Sequence, residues 1–130
     1  MIAILPVLIS FVLSQLLGVL WYSQWLFGRV WARHAFPGKS YEDIGKNASS
    51  RTYIIAAIAH AVIAIVMCYI LGHMQAPLLS KFLCLALLTA ALPVPHHIFL
   101  GHSLERWAVD AGYDVAVITM ATCVFTFFGI

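Results

Sequence analysis

Residues Tyr53 to Leu71 read YIIAAIAHAVIAIVMCYIL, a run without one charged side chain. A bilayer core of roughly 30 Å takes about 20 apolar residues in a helix, and this run has that length. Its apolar character is continuous rather than alternating, so it reads as a membrane helix and not as a barrel strand. Three more runs qualify on either side of it, at about 2–27, 78–100 and 107–128. Backbone in lipid must satisfy its own hydrogen bonds, and helices do so. The expected fold is therefore all-α: a polytopic membrane protein with four transmembrane helices in one bundle. A single transmembrane domain takes up 1–130, with one polar loop at 28–52.

The composition agrees. Of the residues 63% are hydrophobic and 9% charged, and the mean hydropathy is +0.97. A soluble domain is roughly 45–50% apolar and about 25% charged. A soluble enzyme, a disordered chain and a disulfide-stapled mini-protein are excluded. A net charge of +2 is too small for a nucleic-acid binder. The first run lacks a basic n-region, and the bulky Trp21-Tyr22-Ser23-Gln24-Trp25 offers no small-x-small cleavage site, so it reads as a retained helix.

Basic residues set the expected orientation. Arg29, Arg33, Lys39, Lys46 and Arg51 lie in the first loop and Arg106 in the third, whereas the opposite side has only Lys81. The first and third loops should be cytoplasmic and both termini outside. Within the first loop, Ser40 before Tyr41-Glu42-Asp43 is an N-cap signal with acids in the first turn. No proline follows from there to Leu71, so the second helix is expected to start near Tyr41 and run unbroken into the membrane. Asn47-Ala48-Ser49 matches a glycosylation sequon, which carries no meaning on the cytoplasmic side. Trp21, Tyr22, Trp25, Trp31, Tyr53, Trp107 and Tyr113 all fall near the inner boundary and read as an aromatic anchoring belt.

Two motifs stand out: Gly18-x-x-Trp21-Tyr22-Ser23-x-x-x-Phe27-Gly28-x-x-Trp31, and Glu105-Arg106 followed by Asp110-Ala111-Gly112-Tyr113. On these the chain resembles the small bacterial membrane proteins grouped as domain of unknown function 1761, over nearly its whole length. The resemblance implies four helices and a bacterial cytoplasmic (inner) membrane. It implies no activity and no cofactor. It does direct attention to the cytoplasmic ends of the first and fourth helices.

Ionisable groups inside a membrane are costly and need a reason. His96, His97, His102, Glu105, Arg106, Asp110 and Asp114 gather at the inner end of the third and fourth helices. Asp110 and Asp114 are four apart and share a face. With the histidines they would suit a proton path or a divalent cation. Alternatively, the acids complement a helix N-terminus and Arg106 pairs with Glu105 or Asp110. His60 sits roughly 10 Å deep and should meet a polar group on another helix, with Gln15, Ser14 and Thr89 as candidates. The stripes Ala57, Ala61, Ala64, Cys68 and Ala86, Ala90, Pro93, His97 have the spacing of close helix packing. Pro93 and Pro95 should break the third helix just before the paired histidines. Cys68, Cys84 and Cys123 share one depth on three helices. They form a weak soft-metal constellation, beside the plainer reading of sulfur as packing filler. Thr119, Thr122 and Thr126 share a face of the fourth helix, either bonded to their own helix or lining a pore.

Three functions compete on this reading. The first is an oligomeric transporter or channel for protons, cations or a small solute, using His60, His97, Asp110 and Asp114. The second is a structural or accessory subunit packed on a membrane partner protein. The third is a metal-dependent membrane enzyme. The expected surroundings are the lipid bilayer and further copies of the chain in a homo-oligomer.

Overall fold

A computed structural model describes residues 3–46 and 49–130. Among these, the regular secondary structure is all helix, with no strand: α1 (Ile4–Trp21), α2 (Gly28–Ala35), α3 (Tyr41–Lys46), α4 (Ser50–His73), α5 (Leu78–Ala91), α6 (Val94–Phe99) and α7 (Leu104–Phe127). Four stretches are long and apolar enough to cross a membrane: α1, α4, Leu78–Phe99 and α7. The class is a multi-pass helical membrane protein.

α7 is the central element and packs against α1, α2, α4, α5 and α6. Its apolar core fills the half of the bundle away from the basic loop, where Met67, Cys68, Leu71, Ile118, Ala121 and Phe125 interlock. The side of α1 turned inward is a stripe of small or compact residues, with Pro6, Ser10 and Ser14 buried. Both small-residue stripes foreseen in α4 and α5 turn toward the interior. Ala64 and Cys68 are buried there, and Ala57, Ala61, Ala86, Ala90 and His97 are half-buried. They serve packing within the bundle.

The boundaries depart from expectation in four places. The start expected at residue 2 lies outside the described residues. At its other end α1 stops at Trp21 instead of running to Phe27. The Ser23 hydroxyl donates to the Leu20 carbonyl at 2.7 Å. The Phe27 and Gly28 amides then fold back onto Trp21 O at 3.0 Å and Ser23 O at 2.9 Å. Local hydroxyl bonding competes with helix continuation, which apolar content alone does not reveal. Second, the loop 28–52 holds two short helices, α2 and α3. Third, the helix expected to run unbroken from Tyr41 is interrupted: Ser49 is extended, with φ −78° and ψ 151°. Serine favours this geometry at an N-cap. Asn47 and Ala48 of the sequon lie outside the described residues. Fourth, the third span divides into α5 and α6 at Leu92–Pro93, as the prolines foretell, and α7 starts at Leu104, three residues before the expected 107. Ser103 caps it by accepting from the Arg106 amide at 3.2 Å.

At the end of the bundle remote from the basic loop, Lys81 Nζ donates to the Leu71 carbonyl at 2.7 Å. A cation there satisfies an orphan carbonyl and complements the C-terminal dipole of α4. Lys81→Met is expected to cost about 1 kcal/mol, roughly 4 °C in a thermal scan of the detergent-solubilised protein.

Candidate functional site

The two sequence motifs are the two halves of one interface. The α1–α2 corner docks on the first three turns of α7 and is fastened by hydrogen bonds. Trp21 Nε1 donates to the Val109 carbonyl at 3.0 Å. Tyr22 OH donates to Asp110 Oδ1 at 2.8 Å. Tyr113 OH bonds the Ser14 carbonyl at 3.2 Å and His60 Nε2 at 2.8 Å. Tyr41 of α3 closes the corner by donating to the Tyr22 carbonyl at 2.6 Å.

Glycines make this approach possible. A Cβ on Gly18 would stand 3.0 Å from the Tyr113 hydroxyl, and one on Gly112 3.1 Å from the Trp21 ring. Each helix thus offers a glycine to the other's aromatic. A Cβ on Gly28 would lie 2.1 Å from the Tyr22 carbonyl oxygen, which no side chain can accept. The remaining motif aromatics complete the corner. Phe27 packs on Trp21 at 4.6 Å between ring centroids, and Trp31 meets Tyr22 edge-on at 5.3 Å.

This corrects the reading of the aromatics as a belt. Trp21, Tyr22, Trp31 and Tyr113 turn into protein, and Tyr113 is buried. Trp107 donates its indole N–H to the Ala90 carbonyl at 3.1 Å, beside the break in the third span. Only Trp25 and Tyr53 are strongly exposed, at 81% and 63%. Residues near a membrane boundary read alike in sequence whether they face lipid or a neighbouring helix, because tryptophan and tyrosine suit both.

His60 meets another helix, as expected. Its partner is the Tyr113 hydroxyl rather than Gln15, the Ser14 side chain or Thr89. The phenol has one hydrogen and two neighbours. When it donates to the Ser14 carbonyl, His60 Nε2–H donates to the phenol oxygen. When Nε2 carries no hydrogen, the phenol donates to it instead. Nδ1 of His60 is buried and has no hydrogen-bond partner. Tyr113 in turn meets the Tyr22 ring edge-on at 5.3 Å. A line of protonatable groups thus runs His60, Tyr113, Tyr22, Asp110. Asp110 is also 3.8 Å from Arg106 Nε, one turn earlier on α7. Asp114 lies half-buried one turn further along the same helix. Burial, then the Asp110 carboxylate, hold the Tyr22 phenol far above the usual tyrosine range. It therefore stays protonated and donates to Asp110.

The histidines of α6 and the turn after it form a separate group. His97 and His102 meet edge-on at 5.1 Å, and the Nδ1 atom of each is buried without a partner. His102 titrates below the usual histidine range through desolvation, then the Arg106 charge, then His97, so it is neutral at pH 7. His96 and Glu105 are exposed. Asp110 is engaged by Tyr22 and Arg106 instead of by a histidine, against the expectation of carboxylates facing imidazoles. Among the described residues no three His, Cys, Asp or Glu side chains are placed to hold a metal ion. The cysteines form no such group either, and their surroundings differ: Cys68 is buried while Cys84 and Cys123 are exposed. Thr119 and Thr122 bond their own helix at Val115 O and Ile118 O, both at 2.8 Å.

The arrangement defines a four-span helical membrane protein whose signature residues lock the first and last spans together. By its sequence the chain belongs to the family described as protein of unknown function DUF1761, which matches residues 5–126. No curated protein matches it. No solved structure matches it.

Proposed function

We propose that the protein is a small membrane transporter or channel in which protons, alone or linked to a cation or small solute, pass along His60, Tyr113, Tyr22 and Asp110. One observation carries this reading: a short bond closes each end of the line, His60 to Tyr113 and Tyr22 to Asp110, both at 2.8 Å. Buried ionisable groups in a span mark ion and proton pathways. The step between the phenols, whose rings touch edge-on, would need a bridging water. By the excess of basic residues, the Asp110 end faces the cytoplasm of a bacterial inner membrane and both termini lie outside.

Beyond His60 the interior of one chain is the apolar core around Met67, Leu71 and Phe125. A continuous path would therefore be finished between subunits of a homo-oligomer. The exposed Thr119, Cys123 and Thr126 of α7 are the groups available for it. His97, an early candidate for the path, stands apart with His102 and has no place in the line. A metal-dependent enzyme finds no support in the placement of the candidate ligands. The accessory-subunit reading has one observation in its favour: the Leu78–Phe99 span packs on α7 along one face, but none of its membrane window is fully buried within the chain, which leaves its outer face for a membrane partner.

Reconstitution tests the first reading. Vesicles holding the protein and an internal pH dye should acidify under an imposed proton gradient faster than protein-free vesicles. His60→Gln and Asp110→Asn should each slow this roughly 100-fold, the scale of removing a positioned proton carrier. Flux equal to protein-free vesicles, or unchanged in both variants, would leave the accessory reading as the better one.

A further inference from the structure

Two pockets lie side by side at the basic end, and Tyr22 is the one residue of the His60–Asp110 line that borders either of them. The larger, about 820 Å³, is an apolar cleft between the α1–α2 corner, α3 and the first turns of α4. Tyr22, Trp25, Trp31, Tyr53 and Ala56 line it. The smaller, about 310 Å³, is bordered by Arg29, Arg33 and Lys39 of α2 and the turn after it. Tyr41 and Glu42 border both pockets, so the two adjoin. Among the described residues, no carboxylate is within ion-pair distance of Arg29, Arg33 or Lys39. Arg106 and Asp110 form an ion pair among the described residues. Arg29 reaches only the Gln24 amide oxygen at 3.3 Å. Three cations against the single carboxylate of Glu42 leave the smaller pocket positive.

We infer that this pair of pockets binds one anionic lipid-like amphiphile, its phosphate-type headgroup on Arg29, Arg33 and Lys39 and its acyl chain in the aromatic cleft. Charge complementarity selects the head, because unpaired arginines are the usual seats of phosphate oxygens. The cleft selects the chain: it has the volume of a small-molecule site and apolar walls. Position favours the same occupant. Tyr53 and Ala56 belong to the first two turns of a membrane span, while Arg29 and Arg33 sit on the loop side of the same end. The site therefore straddles the level where headgroup passes into hydrocarbon, and basic pockets at that level hold anionic lipid heads. A soluble phosphate would use only the smaller pocket and would leave the cleft unexplained. The inference does not depend on proton movement, although Tyr22 is shared by the cleft and the line.

The test is native mass spectrometry of the full chain in a non-ionic detergent. The probes are dioctanoyl phosphatidylglycerol, dioctanoyl phosphatidylcholine and glycerol phosphate. Phosphatidylglycerol should bind at one copy per chain, at least about tenfold tighter than phosphatidylcholine, and glycerol phosphate should not bind. The triple variant R29Q/R33Q/K39Q should lose roughly 100-fold in affinity for phosphatidylglycerol, at about a factor of five for each basic residue near an anionic head. Should that variant unfold early, Arg33→Gln alone should show the fivefold loss. Ala56→Trp, which fills the cleft and keeps every charge, should lose binding at least tenfold. Equal binding of the two lipids, or glycerol phosphate binding as tightly as the lipid, overturns the inference. So does undiminished binding by Ala56→Trp, which would indicate adsorption to a basic surface. Specific binding without proton flux in vesicles would fail the transport reading and leave this one standing.

Discussion

Gly28→Ala is expected to be the most damaging single-methyl substitution in the chain. The added carbon would lie 2.1 Å from the Tyr22 carbonyl oxygen, with Ser23 O at 2.7 Å. Both are backbone atoms in a turn held by its own hydrogen bonds, so neither can move as a side-chain tip would. The turn must open, and with it go the Phe27–Trp21 contact and the docking of Tyr22 on Asp110. Overpacking of this kind costs about 3 kcal/mol or more. In a chain of this size that is a fall of roughly 10 °C in the melting temperature of the detergent-solubilised protein. Gly45→Ala is the control. Nothing lies within 4 Å of its Cβ position, and it sits within α3. Alanine should be neutral or slightly stabilising there. Equal melting of the two variants would contradict the corner as described.

The second large effect is a coupling. Gly18→Ala places a methyl 3.0 Å from the Tyr113 hydroxyl and about 3.6 Å from the ring carbon that bears it. The phenol would be pushed away from His60 and the Ser14 carbonyl, at a cost of about 2 kcal/mol. Tyr113→Phe removes the two hydrogen bonds, and with them the oxygen that collides with the methyl. The double variant G18A/Y113F should therefore be less destabilised than the two single costs added together, by about 1 kcal/mol or more. A double-mutant cycle on melting reads this directly. Additive costs would mean that Gly18 does not hold the phenol in place.

How much of this was legible in the sequence differs from element to element. The four spans, the break at Pro93 and the inward stripes of α4 and α5 follow from apolar length, proline chemistry and helical spacing. Those signals are local and bear on backbone or on helix faces. The corner after Trp21 did not follow, because its cause is a web of turn bonds from Ser23, Phe27 and Gly28 within an otherwise apolar run. The inward turn of Trp21, Tyr22 and Tyr113 was hidden for a different reason. Amphipathic rings at a boundary depth are equally suited to lipid and to a neighbouring helix, and only their glycine partners decide. A signal was present: Gly18 and Gly112 each precede an aromatic in motifs that occur as a pair. His60 was legible as a residue needing a partner, but the partner lies 53 positions away in the chain. Asp110 was legible as an ionisable group near the start of the fourth span. That it binds a tyrosine and not the histidines depends on where α1 stops, which the apolar pattern misplaced.

The measurement that bears most directly on the central claim is proton flux into vesicles holding the wild-type protein, Tyr113→Phe, Asp110→Asn and the double variant Y113F/D110N. Melting of each is recorded so that flux is compared among folded proteins. If His60, Tyr113, Tyr22 and Asp110 act in series, each single variant should lose roughly 100-fold, and the double variant should lose no more than the worse single. Folded single variants with wild-type flux, or losses that multiply in the double variant, would contradict a single line through these residues.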